Sequence, residues 1–269
     1  MPEFGRQRLC KTGNELHGVR PPRFPYTGFP DNPLVALLEA DPGPPNIISP
    51  MVTLKSLSLL FLAPVALASF INPGSCDTSK ATMDLPAGQT ALVNPTFPPS
   101  FVTLGVGVQN YTCSNTSVYT SVGAVASLFD ISCLLNNFNF DSIQTRAFAF
   151  WNESSQVTPL NVANDVGAPL MLGQHYFITN PSGTGLSPEW DFTVSTGASD
   201  AFVIGVKVGD IPDPSDPIVN IDWLSLNGVE GDLATQIFRI NTVGGQPPSS
   251  CVPGSALLSV KYVSLYYLY

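Results

Sequence analysis

The feature that most constrains the fold is the recurrence of short β-forming runs separated by glycine- and proline-rich turns. The runs are "TALV", "FVTLGVGVQNYTC", "VYTSVGAVASLFDI", "HYFIT", "WDFTV", "AFVIGVKVG", "IDWLSL", "TQIFRINT" and "ALLSVKYVSLYYLY". Between them stand "NPTFPPS", "NPSGTG", "GDIPDPSDP", "NGVEGD" and "VGGQPPSS". β-branched and aromatic side chains fit a pleated, half-buried surface, and Gly, Pro, Asn and Asp set the turns. Many short strands with such punctuation predict an all-β, mainly antiparallel domain, either a β-sandwich or a β-barrel. The runs do not alternate with regular helices, which argues against a doubly wound α/β fold. One short helix is predicted in Phe140–Trp151, capped at Asp141 or Ser142, with Ile143, Ala147, Phe148 and Trp151 on one face.

The last run says how the sheet is packed. On a period of two, Val263, Leu265, Tyr267 and Tyr269 share one face, and Tyr262, Ser264, Tyr266 and Leu268 share the other. Both faces are mostly apolar or aromatic. A central strand covered on both sides is therefore expected, and the aromatic stripe reads as core before it reads as a sugar-stacking platform.

The N-terminal quarter has a different character. "MVTLKSLSLLFLAPVALASF" begins at Met51 and has the parts of a secretory signal in order: Lys55, the apolar Leu57–Leu67, and Ala66-Leu67-Ala68. Residues 51–68 are read as a signal peptide cleaved after Ala68. A buried core segment and an internal anchor are the alternatives. Residues 1–50 hold ten of the 26 prolines and no sustained period. They read as a disordered Pro-rich extension, an artefact of gene prediction or cloning if translation starts at Met51. Residues 69–269 then form a single secreted β domain. Of the five cysteines only Cys10 precedes the signal. Cys76, Cys113, Cys133 and Cys251 remain, an even set suited to an oxidising compartment, with three possible pairings.

Charge removes whole classes of partner. From Ser69 onward, five basic side chains face fifteen acidic ones, a formal charge of −10. Phosphate backbones and anionic membrane surfaces repel such a chain. No nucleic acid and no stable membrane anchor are expected. An extracellular glycan or wall component is the partner left to consider. Three N-x-[ST] sequons, at Asn110, Asn115 and Asn152, fit the secretory reading. Asn110 closes a predicted strand, so Asn115 and Asn152 are the better acceptors.

Few constellations could carry chemistry. His175 is the one histidine after Ser69, which excludes a multi-histidine metal site within that segment and leaves it as a core or rim residue. Glu189 and Asp191 in "PEWDF" share a strand face, as paired glycosidase carboxylates would. A solvated strand edge gives the same pattern. Asp210, Asp213 and Asp216 in "GDIPDPSDP" offer oxygen ligands for calcium, but the run lacks the spacing of a known calcium loop and reads first as a solvated acidic loop. "GVGVQN", Gly105–Asn110, lacks the third glycine and the following helix of a dinucleotide loop, so no cofactor is expected. Arg239 and Asn241 would share a strand face. Arg239 is read as the partner of a carboxylate, or as the grip for an anionic ligand. Gly244-Gly245 permits a tight turn with positive φ.

These last residues carry a resemblance. Arg239-x-Asn241-Thr242-x-Gly244-Gly245-x-x-Pro248-x-x-Cys251 is followed by a tyrosine-rich ending. Leu85-Pro86-Ala87-Gly88, Gly105–Cys113, Gly123–Ala126, Leu128-Phe129-Asp130, Gly173-x-His175-Tyr176-Phe177 and Asp222-Trp223-Leu224 precede it. In this order they resemble a family of secreted fungal and bacterial proteins of uncharacterised function, most closely its fungal branch. The resemblance implies Cys113–Cys251 as the shared disulfide and Cys76–Cys133 as the fungal addition. It brings no catalytic residue. Some members carry the label malate dehydrogenase, which one histidine and two arginines after Ser69 do not support.

The expected protein is thus a secreted, disulfide-stapled β domain that binds an extracellular or wall component without catalysis. A carboxylate-based polysaccharide enzyme and a structural wall component are the alternatives.

Overall fold

The computed structural model describes residues 76–269. The Pro-rich extension, the signal at 51–68, its cleavage after Ala68, and Cys10 lie outside the described residues.

Eight strands follow in order: β1 (Phe101–Cys113), β2 (Tyr119–Asp130), β3 (Met171–Thr179), β4 (Leu186–Asp191), β5 (Phe202–Ile211), β6 (Trp223–Glu230), β7 (Gln236–Gly244) and β8 (Leu258–Leu268). Each pairs antiparallel with the next, and β8 closes on β1 from Phe101↔Leu268 to Tyr111↔Leu258. Of the two predicted architectures the chain adopts the barrel. Closure gives every ladder hydrogen bond a partner strand, which a sandwich of open sheets does not.

The two faces of β8 go where the period of two assigns them. Val263, Leu265, Tyr267 and Tyr269 join the outer cluster with Val102, Leu104 and Val106 of β1 and Phe238 and Ile240 of β7. That cluster is covered by Ile143, Ala147 and Trp151 of α1 (Ile143–Glu153) and by Val162 and Ala163 of α2 (Pro159–Asp165). Tyr266 and Leu268 face inward with Leu128, Trp190, Val203, Leu226 and Ile237. The described residues thus form two main cores, one inside the barrel and one between barrel and helices, with a small third cluster of Ala124, Ala126, Ile221 and Tyr262. Inward glycines make room for large rings. A Cβ on Gly105 would stand 2.5 Å from the Tyr266 ring, and one on Gly205 would stand 3.0 Å from Trp190. An eight-stranded barrel is just wide enough for side chains to fill, and here aromatic rings over glycines fill it.

Two local expectations need correction. "TALV" is not a strand. The Gln89 side chain accepts from Leu92 N and donates to Leu92 O, both at 2.8 Å, so a local loop satisfies groups that a ladder would use. The single helix has companions. α1 follows a 3₁₀ turn at Phe140–Ser142 and begins within the predicted span, with Ser142 at its N-cap but no side-chain cap bond. α2 starts from a capping box, in which Thr158 and Asn161 bond each other's backbone N–H, with Pro159 in its first turn. A further short helix, α3, spans Thr193–Thr196.

Candidate functional site

One end of the barrel gathers most of the distinctive sequence. It is formed by the ends of the strands at Cys113, Ile211, Trp223 and Gly244, and by the loops that join them. Asp210 on β5 stands opposite Leu224 on β6, which stands opposite Arg239 on β7. Cross-strand partners share a face. Leu224 packs into the inner core, so Asp210 and Arg239 lie on the inner face with it. Lys207 stands opposite Leu226, another inner residue.

One ion pair and one main-chain clamp hold these side chains. Lys207 Nζ meets Asp210 Oδ2 at 2.5 Å. Arg239, expected to pair with a carboxylate, instead donates through Nε at 3.1 Å and Nη2 at 2.8 Å to the Asp222 main-chain carbonyl. Burial, and then the neighbouring Asp210, push the Asp222 carboxyl above its ordinary value, while Arg239 and Lys207 pull the other way. Tyr111 from β1 donates to the Gly245 carbonyl at 2.7 Å, and burial pushes its hydroxyl up to about 12. The mouth thus holds two cations, two carboxyl groups and a tyrosine, with Arg239 and Asp222 half-buried. Beneath it lie the Tyr262 and Tyr266 hydroxyls, 3.0 Å apart.

The rim is held by Asp213, which is 2 % exposed. Its Oδ1 accepts from Ser215 N and Oγ, Asp216 N and Asn220 Nδ2. Its Oδ2 accepts from Trp223 Nε1 at 2.7 Å and Thr242 Oγ1 at 2.9 Å. Burial alone would push this carboxyl up; the hydrogen bonds from Ser215, Asp216, Asn220 and Thr242 outweigh it and hold it below 3.8. The three aspartates weighed as calcium ligands therefore separate. Asp210 pairs with Lys207, Asp213 closes the loop, and Asp216 accepts from Ile218 N. Among the described residues no group of three potential ligands converges.

The other motif residues also have rim roles. Asn241 takes φ of +50° where the β7–β8 register shifts. Gly244 and Gly245 have φ of +76° and +92°, as their turn requires. Gly244 N donates to Asn220 Oδ1 at 2.8 Å. Cys251 is bonded to Cys113, with Cα atoms 5.8 Å apart, and Cys76 to Cys133 at 5.1 Å. These are the pairs that the resemblance implies.

His175 sits inside the barrel, 2 % exposed, stacked on Trp190 with ring centroids 4.4 Å apart. Its Nδ1 lies 2.9 Å from the Glu189 carbonyl, which can only accept, so Nδ1 carries the proton. Burial holds the imidazole neutral, with a pKa lowered to about 3. Glu189 and Asp191 do converge. Tyr176 Oη lies 3.2 Å from Glu189 Oε1 and 2.9 Å from Asp191 Oδ2. Glu189 is only 2 % exposed, however, and β4 is an interior member of a closed barrel. The solvated-edge reading of this pair is corrected by that closure. Asn115 and Asn152 are exposed, whereas Asn110 is half-buried and accepts from Ser259 Oγ. Gly105 and Gly107 lie within β1 against barrel residues rather than at a strand-to-helix turn.

The sequence did not single out Asp222, Lys207 or Tyr111 as site residues. Lys207 is a charge within the apolar run "AFVIGVKVG" of β5, and Asp222 directly precedes the apolar start of β6; those placements are the signal that could have found them.

A protein-family model matches residues 95–269, all eight strands, and its description is Protein of unknown function (DUF3455). No curated protein and no solved structure matches the chain.

Proposed function

The chain belongs to that family, and we propose that it is a secreted module that binds a neutral glycan of the extracellular space or wall without catalysis. The observation that carries this reading is the interleaved Lys207–Asp210–Asp222–Arg239 cluster at the barrel mouth. Its formal charges cancel, which disfavours a strongly ionic ligand. Carboxylates accept and cations donate, so the cluster matches hydroxyl groups, which do both. Two disulfides and exposed sequons at Asn115 and Asn152 support residence in an oxidising compartment, with export through residues 51–68. The order of the motif residues supports a place in the fungal branch.

Isothermal titration of the full chain with cellohexaose, laminarihexaose and chitohexaose tests the site. At least one hexaose binds, and Lys207→Ala and Asp210→Asn each weaken it about tenfold, as loss of a charged hydrogen bond does. Unchanged affinity in both variants contradicts the mouth as the site.

One observation favours a second reading. The raised carboxyl of Asp222 beside Asp210 has the character of a general acid next to a carboxylate. If the protein is a carboxylate-based polysaccharide enzyme, this pair serves better than the buried Glu189. Sugar release that disappears in Asp222→Asn would establish it.

A further inference from the structure

A second set of polar groups lies outside the barrel, on the helical flank. Phe150, Gln156, Val157, Asn161, Asn164 and Asp165 line an open cleft of about 470 Å³ beside α1 and α2. That volume is within the range of small-molecule sites. α2 positions much of it. Its capping box uses Asn161 Oδ1, which accepts from Thr158 N at 2.9 Å and Thr158 Oγ1 at 2.8 Å and leaves Nδ2 out of the cap's bonds. Asn164 lies three residues further on the same helix. Among the described residues the Gln156 and Asn164 carboxamides make no hydrogen bond within the protein, and both are exposed. Phe150 is half-buried, packed against the outer core. The one carboxylate, Asp165, faces Arg146 at 3.8 Å.

We propose that this cleft is a second saccharide site, which takes a mono- or disaccharide unit of a neutral glycan. The Gln156 and Asn164 carboxamides offer both donor and acceptor capacity and Asn161 Nδ2 adds a donor, which suits hydroxyl groups better than it suits ions. The single carboxylate is matched by Arg146, so the cleft presents no net charge to select a cation. Phe150 supplies an apolar surface against which the C–H face of a pyranose packs. The site is separate in sequence and in elements from Lys207, Asp210, Asp222 and Arg239, and it holds whether or not the mouth binds.

The test is chemical-shift perturbation of the full chain by cellohexaose, laminarihexaose and chitohexaose. The variants are Phe150→Leu and the double change Gln156→Ala, Asn164→Ala. At least one hexaose shifts the backbone signals of α2, and each variant weakens that response about tenfold. Because Phe150 also packs on the core, the exposed double variant keeps the test valid if Phe150→Leu lowers the melting temperature. Absence of any shift in α2 at millimolar hexaose overturns the proposal. So does a double variant that binds like the wild type, including the case in which only Lys207→Ala loses binding.

Discussion

Asp213 shows how a single residue holds the functional end of the barrel in shape. Removing its carboxylate leaves Trp223 Nε1 without an acceptor and takes one of two acceptors from Thr242 Oγ1, which also bonds the Ile221 carbonyl, and from Asn220 Nδ2, which also bonds Ser215 Oγ. Asp213→Ala is therefore expected to cost about 3 kcal/mol or more, read as a fall in the urea midpoint. Its folded pKa is depressed, so its contribution is fully present above the unfolded value near 4 and is lost as pH falls through the folded value. The wild type loses stability on acidification below pH 4, and Asp213→Asn shows less of that loss. His175 acts in a higher window. Its folded pKa of about 3 lies below the unfolded value of about 6.5, so the unfolded chain takes up a proton that the folded chain refuses. That contribution is complete above pH 6.5 and declines toward pH 3, by at most about 1.4 kcal/mol per pH unit. The imidazole ¹⁵N shifts of His175 are expected to stay flat from pH 8 to 4.5; a midpoint near 6.5 contradicts its burial. The sequence placed His175 as a core or rim residue because a lone histidine on a strand lacks partners for catalysis. It could not place Asp213, since the residues that bond it come from the loop itself, β6 and β7, and no local pattern joins them.

At the scale of elements, the strands were legible wherever period two and turn chemistry agreed. β8 and the residue after it are the clearest case: Val263, Leu265, Tyr267 and Tyr269 go to the outer core, Tyr266 and Leu268 to the inner one, and Tyr262 to a small cluster with Ala124, Ala126 and Ile221. α1 was legible from the spacing of Ile143, Ala147 and Trp151 on one face. "TALV" failed because a side-chain loop through Gln89 competes with a ladder and leaves no periodic trace. The Glu189–Asp191 pair was correctly put on one face. The free edge was misjudged, because closure into a barrel is not written in any one strand. The packing of glycine under rings makes its own prediction. A Cβ on Gly107 would collide with the Val125 carbonyl and with Ala126, all backbone or short side chain. Gly107→Ala forces the β1–β2 ladder apart and is expected to cost about 2 kcal/mol, as overpacking does. Gly183→Ala, at a loop position with nothing within 4 Å but with φ of +85°, tests the other effect, strain without collision. Thermal melts of the two variants compare them directly, and a harmless Gly107→Ala contradicts the close approach.

For the described domain, the disulfides tie the ends of distant elements. Cys113–Cys251 spans 138 residues and joins the end of β1 to the β7–β8 loop, at the same end as the Lys207–Asp222 mouth. Loop-closure entropy gives about 5 kcal/mol for such a link. Cys113→Ser with Cys251→Ser is expected to lower the urea midpoint strongly, and more than Cys76→Ser with Cys133→Ser, whose loop spans 57 residues. The fold class was legible because the β-forming runs and the turn chemistry between them pointed the same way. The mouth was not, because it is assembled from β1, β5, β6, β7 and the β5–β6 loop, five segments whose meeting depends on barrel register. The most direct measurement is co-sedimentation of the purified full chain with insoluble chitin, β-glucan, cellulose and pectin, with sugar assayed in the supernatant. The account predicts protein in the pellet of at least one polymer, less of it for Lys207→Ala and Asp210→Asn, and no sugar released. Released oligosaccharide, or protein that stays in every supernatant, would contradict it.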